Sequence, residues 1–400
     1  MRIGMLADVY KPHVSGITNY IALNKRHLEK LGHEVFVFTF GDESHECDEL
    51  NVIHSPGLPL LDTGYYLGLR YNKRARLLMQ SMDVVHVHHP FLSGSLALRY
   101  CRPRGIPVIF TNHTRYDLYA QAYIPALPDV VGVTALETYL PSFCRSCDLV
   151  ISPSNGMRDV LKGFGVETFI DVVPNGVDLR PFRETTQPLN RKEIGFKKDD
   201  IVLIYTGRLG PEKNLPFLLR SFAGAAQAYD NLRLVLVGSG PELDNLQDRV
   251  RHMGIESLVY FAGMVSYEEM PRYLAMADAF VTASVTEVHP LSVIEAMAAG
   301  LPVLGIQSPG VGDIVIPGET GLLVAEEDLA SYTAKMVRIV TDHDLRRAMS
   351  KNACQASEAY AIERTTHMLL ERYQDMIRKG SRRKRTLRAR MLRLFDGWSR

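Results

Sequence analysis

Ile201-Val-Leu-Ile-Tyr-Thr206-Gly-Arg-Leu-Gly-Pro-Glu-Lys213-Asn-Leu-Pro-Phe-Leu-Leu-Arg-Ser-Phe222 sets an apolar strand against a glycine-bearing turn and then a helix-forming stretch that runs to Tyr229. Leu232–Val237 follows as a second apolar strand. Strand, helix and strand in this order form a βαβ unit, and its strands belong to a parallel sheet. The alternation continues through a helix at Glu242–Met253, strands at Val259–Ala262 and Ala279–Ala283, a helix at Leu291–Ala299 and a strand at Val303–Gly305. It also runs earlier in the chain: Ile3–Val9, helix Asn19–Leu31, Glu34–Phe40, Val84–His88, helix Ser93–Cys101, Val108–Thr111 and Leu149–Ser152. A charged, proline-bearing stretch from Pro181 to Asp200 separates the two series.

The expected fold class is α/β, two Rossmann-like doubly wound domains facing across a cleft. Residues 1–182 form the first and 183–360 the second, followed by a closing helix at 361–379 and a basic amphipathic tail at 380–400. Four hundred residues suit two cores better than one. With 46% hydrophobic and 23% charged residues, wholesale disorder and fibrous folds are excluded. No uncharged apolar run reaches the ~18–20 residues that span a bilayer, and the start is too short for a secretory h-region, so a cytoplasmic location is expected. Five cysteines are expected as reduced thiols, and the pair Cys144 and Cys147 as small residues at a helix end. The net charge of +1 conceals a division: residues 377–400 hold ten Lys and Arg against one Asp, leaving 36 basic against 44 acidic residues elsewhere.

Open α/β sheets bind ligands outside the carboxyl ends of their strands, so the loops after strands carry the search. Arg208 and Lys213, five apart among glycines, read as a clamp for an oxygen-rich dianion, helped by the N-terminus of the next helix. The spacing is not that of a P-loop. Gly238-Ser-Gly240 after the next strand suits close backbone approach to a nucleotide, although many strand-to-helix turns carry glycines for steric reasons alone. In Ser284-Val-Thr-Glu287-Val-His-Pro-Leu-Ser-Val-Ile-Glu295-Ala-Met-Ala-Ala-Gly300, Glu287 lies in a loop after a strand and Glu295 on a mostly apolar helix. A carboxylate flanked by Val293, Ile294, Ala296 and Met297 needs a partner, and ribose hydroxyls would supply two donors. In the first half, Pro12-His-Val-Ser-Gly16 is a loop ahead of a helix N-terminus. Asn112-His113 ends a strand at the cleft mouth with Tyr116, Tyr119 and Tyr123 behind it. His86-Val-His88-His89 reads as a hydrogen-bonded group split over two strand faces rather than a metal site, and Asn175-Gly176-Val-Asp178 as a turn.

Together these elements resemble the retaining GT-B glycosyltransferases of the glycogen-synthase-like, nucleotide-sugar-dependent group (family 4), over nearly all of residues 1–376. The resemblance implies that Arg208 and Lys213 grip the donor diphosphate and Glu295 the ribose. It implies that Glu287 takes the hydroxyls of the transferred sugar and that His113 lies beside the anomeric centre. Gly16, Gly238, Gly263, Leu291 and Ser292 would complete the donor site. It further implies transfer with retention, in which the leaving phosphate oxygen takes the acceptor proton, with no metal or other cofactor required. Two departures stand out: Pro290 replaces a usual glycine and donates no N–H, and Ser15-Gly16 replaces a usual glycine pair.

Within the group, His113-Thr-Arg-Tyr116-Asp-Leu-Tyr119 resembles the signature of enzymes that glucosylate 1,2-diacylglycerol, which makes Tyr116, Tyr119 and Tyr123 the implied acceptor residues. Charge supports a lipid surface. Tyr65–Met79 carries Arg70, Lys73, Arg74 and Arg76 without an acid and is read as an interfacial helix. In the tail, Leu387, Met391, Leu394, Phe395 and Trp398 recur at helical spacing between Arg385, Arg388, Arg390 and Arg393, so anionic lipid rather than nucleic acid is the expected partner. The expectation is a peripheral enzyme on the inner face of the cell membrane that uses UDP-glucose and diacylglycerol. Another donor (mannose, galactose, sulfoquinovose) or acceptor (phosphatidylinositol, soluble carbohydrate) stays open, as do a nucleotide-sugar epimerase and a non-catalytic membrane scaffold.

Overall fold

The structure, a computed structural model, describes residues 1–13, 15–41, 49–59, 66–118, 129–185 and 187–396, with side chains except at 129–135 and 381–396. Its first sheet is parallel, in the order β3-β2-β1-β6-β7-β8-β9. These strands are β1 (Arg2–Leu6), β2 (Glu34–Phe40), β3 (Val52–Ser55), β6 (Val84–Val87), β7 (Val108–Thr111), β8 (Leu149–Ser152) and β9 (Ile170–Val172). β4 (Leu58–Pro59) and β5 (Tyr66–Leu67) form a separate antiparallel hairpin. The second sheet is also parallel, ordered β12-β11-β10-β13-β14-β15. It comprises β10 (Ile201–Thr206), β11 (Leu232–Val237), β12 (Val259–Gly263), β13 (Ala279–Val281), β14 (Val303–Ile306) and β15 (Gly321–Val324). Every residue of β6, β7, β8, β11 and β14 is buried, as strands covered by helices on both faces must be.

The strand order reverses beside β1, which pairs Ile3 with Val35 on one side and with Val84 on the other. It reverses again beside β10, between β11 and β13. A doubly wound sheet splits its crossovers at such a point and leaves a crevice there. The loops after β1, β6, β7, β10 and β13 are therefore brought together.

The chain crosses between the halves twice at one place. Val177 and Ala361 form an isolated bridge. A Cβ on Gly176 would lie 2.0 Å from Thr365 Oγ1, so only glycine permits this approach. The final helix, Ile362–Asp396, then returns to the first domain: Thr366 Oγ1 donates to Asn24 Oδ1 (3.1 Å), and Leu369, Tyr373 and Met376 join the core around Ile3 and Met5. Its backbone runs unbroken from the closing segment into the basic tail. Among the described residues no helix is long and apolar enough to cross a membrane.

One sequence expectation fails. Residues 66–79 are not a single helix; the helix spans only Lys73–Met79. Asn72 caps it, its side chain accepting from the Ala75 amide at 2.8 Å, while Tyr66–Leu67 pairs with Leu58–Pro59. Tyr71 points inward and stacks on Phe40, ring centroids 5.0 Å apart. The Asn72 cap and the strand pairing of Tyr66–Leu67 end the helix on its N-terminal side, and Tyr71 enters the same core as Ala75 and Met79 from outside the helix. Arg70, Lys73 and Arg74 are exposed. Arg76, by contrast, is half-buried with its guanidinium 6.0 Å from the Tyr100 ring centroid and leaves the expected membrane-facing set.

Candidate active site

The loop after β10 begins at Gly207 and ends in a short turn of 3-10 helix, Pro211–Lys213. Arg208 is exposed, and Lys213 is bonded to Glu287, Nζ to Oε1, at 2.7 Å. The two residues expected to serve the diphosphate and the sugar thus hold each other, with 15% and 18% of their side chains accessible. The Glu212 carbonyl accepts from Ser284 Oγ (3.3 Å) and from Thr286 Oγ1 (3.2 Å), which ties the β10 loop to the β13 loop. Gly238 has φ +135°, and a Cβ there would sit 1.9 Å from the Gly207 carbonyl oxygen. Its immediate role is therefore to let these two loops touch. Gly263 ends β12 in a left-handed conformation, and Gly16 is exposed with open space around it.

Pro290 is the N-cap of the helix Leu291–Ala298, and the first intrahelical bond there is from the Ile294 amide to the Pro290 carbonyl at 3.4 Å. The amides of Leu291 and Ser292 precede that bond, so the helix presents donors immediately after the proline. Glu295 lies one turn further along, 6% exposed. Burial raises its carboxyl pKa to about 7, against a smaller lowering by the Tyr267 hydroxyl facing it. Tyr267 was not read from the sequence; a lone tyrosine in Val265-Ser-Tyr267-Glu gives no periodic signal.

The first domain closes the site from the other side. His13, in the loop after β1, has its pKa lowered by burial, then by the positive field of Arg208, then by His89. The first loop therefore faces the cation of the second domain. Asn175 Nδ2 donates to the His289 carbonyl (2.9 Å) and the Gly310 amide to the Glu287 carbonyl (3.0 Å), and Val288 packs into the core of the first domain. Asn175 thus acts between the halves and not simply within a turn.

His113 lies just beyond β7, mostly buried, with Nε2 3.1 Å from Nδ1 of the buried His88. Tyr20 lies against it, ring centroids 4.7 Å apart. Burial lowers the pKa of His113, and His86 and His89 lower it further, so the imidazole is neutral. The remaining histidines are hydrogen-bonded, as the sequence suggested: His86 to Tyr373 and Thr111, each at 2.7 Å, and His89 from the Asp8 amide at 3.2 Å. Tyr116 packs edge-on against Phe91, centroids 5.1 Å apart. Tyr119 and Tyr123 lie outside the described residues, as does Trp398, and the side chains of Arg388 and Arg393 are likewise outside them.

Two strand-end clusters, cationic and acidic in one domain and imidazole in the other, face a common crevice. Two family models match the chain in succession: Glycosyltransferase Family 4 over residues 14–180 and Glycosyl transferases group 1 over residues 186–356. An alpha-monoglucosyldiacylglycerol synthase of Streptococcus pneumoniae is 31% identical, over 82% of this chain and 77% of the relative. The chain belongs to this glycosyltransferase family. A second alpha-monoglucosyldiacylglycerol synthase, of Acholeplasma laidlawii, is 28% identical over 96% of this chain and 99% of its own length. The crystal structure of Anabaena Alr3699/HepE in complex with UDP-glucose superposes with a TM-score of 0.75 at 18% identity, over 94% of this chain and all of that one. The fold is GT-B, and the enzyme is a glycosyltransferase.

Proposed function

We propose that this glycosyltransferase moves glucose from UDP-glucose to the 3-hydroxyl of 1,2-diacylglycerol, with retention, at the cytoplasmic surface of the membrane. The observation that carries the lipid acceptor is a patch on the first domain. Leu58 (74% exposed), Leu67, Leu69 (86%) and Leu77 stand out to solvent beside the exposed Arg70, Lys73 and Arg74. Apolar side chains that enter the acyl boundary, ringed by cations that meet anionic headgroups, hold a protein at a bilayer surface. Both relatives named as alpha-monoglucosyldiacylglycerol synthases agree with that acceptor.

In this reading Arg208 and Lys213 take the charge that develops on the leaving diphosphate. The first-turn amides of Leu291 and Ser292 add donors, so the amide missing at Pro290 falls to its neighbours. Glu295 receives the ribose hydroxyls and Glu287 those of glucose, the latter freed as Lys213 turns to phosphate. His113 donates to an oxygen beside the anomeric carbon. The leaving phosphate oxygen accepts the proton of the incoming lipid hydroxyl on the same face, which retains the anomer without a protein nucleophile. UDP-glucose is a co-substrate, and the chemistry asks for no resident cofactor.

The test is transfer from a panel of labelled sugar nucleotides to vesicles of diacylglycerol plus anionic phospholipid. A lipid-soluble α-glucoside from UDP-glucose is expected. Product from GDP-mannose instead would overturn the donor. Label on soluble sugar would overturn the lipid acceptor, and label confined to isomerised nucleotide would overturn transfer itself.

A further inference from the structure

The pair formed by His88 and His113 has a consequence for the proton on His113. We infer that His88 is a positioning residue that fixes His113 as the tautomer with its proton on Nδ1, so that an N–H donor faces the crevice. The inference rests on the reading of His113 as a sugar-facing residue.

Both imidazoles are neutral, because burial lowers the pKa of each. With His88 Nδ1 and His113 Nε2 3.1 Å apart, one of these two atoms carries the shared hydrogen. If His113 Nε2 carried it, His88 would hold its own proton on Nε2. That atom is buried and has no partner among the described residues, so a buried N–H would be orphaned at a cost of ~1–3 kcal/mol. If His88 Nδ1 carries it, His88 Nε2 is a bare lone pair, and the shared hydrogen is donated to His113 Nε2. The second arrangement leaves no buried hydrogen without an acceptor, and polar hydrogens are the groups least often left orphaned. His113 then keeps its one proton on Nδ1.

The surroundings hold His88 to this role. Its backbone amide donates to the Leu6 carbonyl (2.9 Å), which anchors it at the end of β6 beside β1. His86 packs against its ring, centroids 4.3 Å apart, and has both of its own nitrogens occupied, by Tyr373 and Thr111. Tyr20 closes the third side, 5.6 Å from the His88 ring and 4.7 Å from that of His113. With its neighbours so committed, His88 has one hydrogen-bonding direction, toward His113. A donor fixed in place before substrate arrives needs no reorganisation during the reaction.

The decisive measurement is the tautomer itself, read from two-bond proton–nitrogen correlations of the full-length protein with nitrogen-labelled histidine, His113 being assigned by its loss in His113→Asn. Protonated Nδ1 on His113 is expected in the wild type. Protonated Nε2 would overturn the inference, whatever the substrate proves to be. Kinetics with UDP-glucose and diacylglycerol vesicles give the second readout. His88→Asn places an amide N–H near the position of Nδ1, whereas His88→Leu offers none. His88→Leu is expected to lower kcat by about 10- to 100-fold, by analogy with the loss of a hydrogen bond that orients a metal-bound histidine. The KM for UDP-glucose should stay within about twofold, and His88→Asn should recover most of the rate. Equal loss in both variants would make His88 a packing residue only, and full rates in both would remove it from the reaction. If His113→Asn itself turned over normally while the tautomer was as stated, the catalytic reading of His113 would fail and the assignment of its proton would stand.

Discussion

Replacing Glu295 by Gln should stabilise the protein above neutral pH while weakening its hold on the nucleotide. The carboxyl is 6% exposed, and burial lifts its pKa from 4.5 to about 7. That difference, at 1.36 kcal/mol per unit, amounts to about 3 kcal/mol. The sign follows from proton counting: between these two values the folded state binds more protons at this site than the unfolded chain. The contribution of Glu295 to stability is therefore complete below pH 4.5 and is lost as pH rises toward and through about 7. A glutamine at the same place has no proton to lose. Urea unfolding of both proteins at pH 5, 6, 7 and 8 should show the variant gaining on the wild type as pH rises, by up to about 3 kcal/mol, most steeply between the unfolded and folded pKa values and levelling off above the folded one. Taking the difference at each pH cancels the titration of every other group. Calorimetry with UDP at pH 8 should show weaker binding to the variant, because an amide accepts less strongly than a carboxylate. A stability difference that stays flat from pH 5 to 8 would refute the reasoning, since it would mean that the carboxylate is solvated or paired in the folded protein.

Other outcomes follow from the same geometry. Gly238→Ala, which puts a Cβ 1.9 Å from the Gly207 carbonyl at φ +135°, should cost about 3 kcal/mol or more in thermal or urea unfolding. Lys213→Met should lower kcat by about 100-fold or more in the transfer assay and leave Glu287 without its 2.7 Å partner, whereas Lys213→Arg should retain part of the rate. Leu69→Asp with Leu77→Asp, both at exposed sites, should weaken co-sedimentation with anionic vesicles by about 100-fold while the unfolding midpoint holds. Removing residues 380–400 should weaken the same binding most at low salt, because the segment's charge acts through a screened field.

The chemistry of the site was largely present in the chain itself. Arg208, Lys213, Glu287 and Glu295 each follow a strand or sit on the helix after one, and a parallel sheet must gather such loops at one edge. The apolar strands were legible because burial on both faces removes polar residues from them, as in Leu232–Val237. The strands β3, β9 and β15 left weaker marks, the helix Asn155–Gly163 is only nine residues long, and Asp129–Ser146 shows its end at Cys144 but carries Pro141 inside, a residue that usually breaks a helical pattern. The stretch before Lys73 misled because aromatic, leucine and cationic residues look alike on a helix face and on an irregular surface; the pairing of Tyr66–Leu67 with Leu58–Pro59 and the cap at Asn72 separate the two.

What the sequence determined by itself was the fold class and the kinds of side chain at the crevice, because periodicity and strand-end placement are local properties. Only the tertiary structure decided which of them meet. Lys213 and Glu287 are 74 residues apart, His88 and His113 are 25 apart, and Tyr373 reaches His86 across 287 residues. Such pairings depend on how two sheets and a returning helix pack. The same packing sets how dry each group becomes, and so gives Glu295 a pKa near 7 and His113 a single place for its proton.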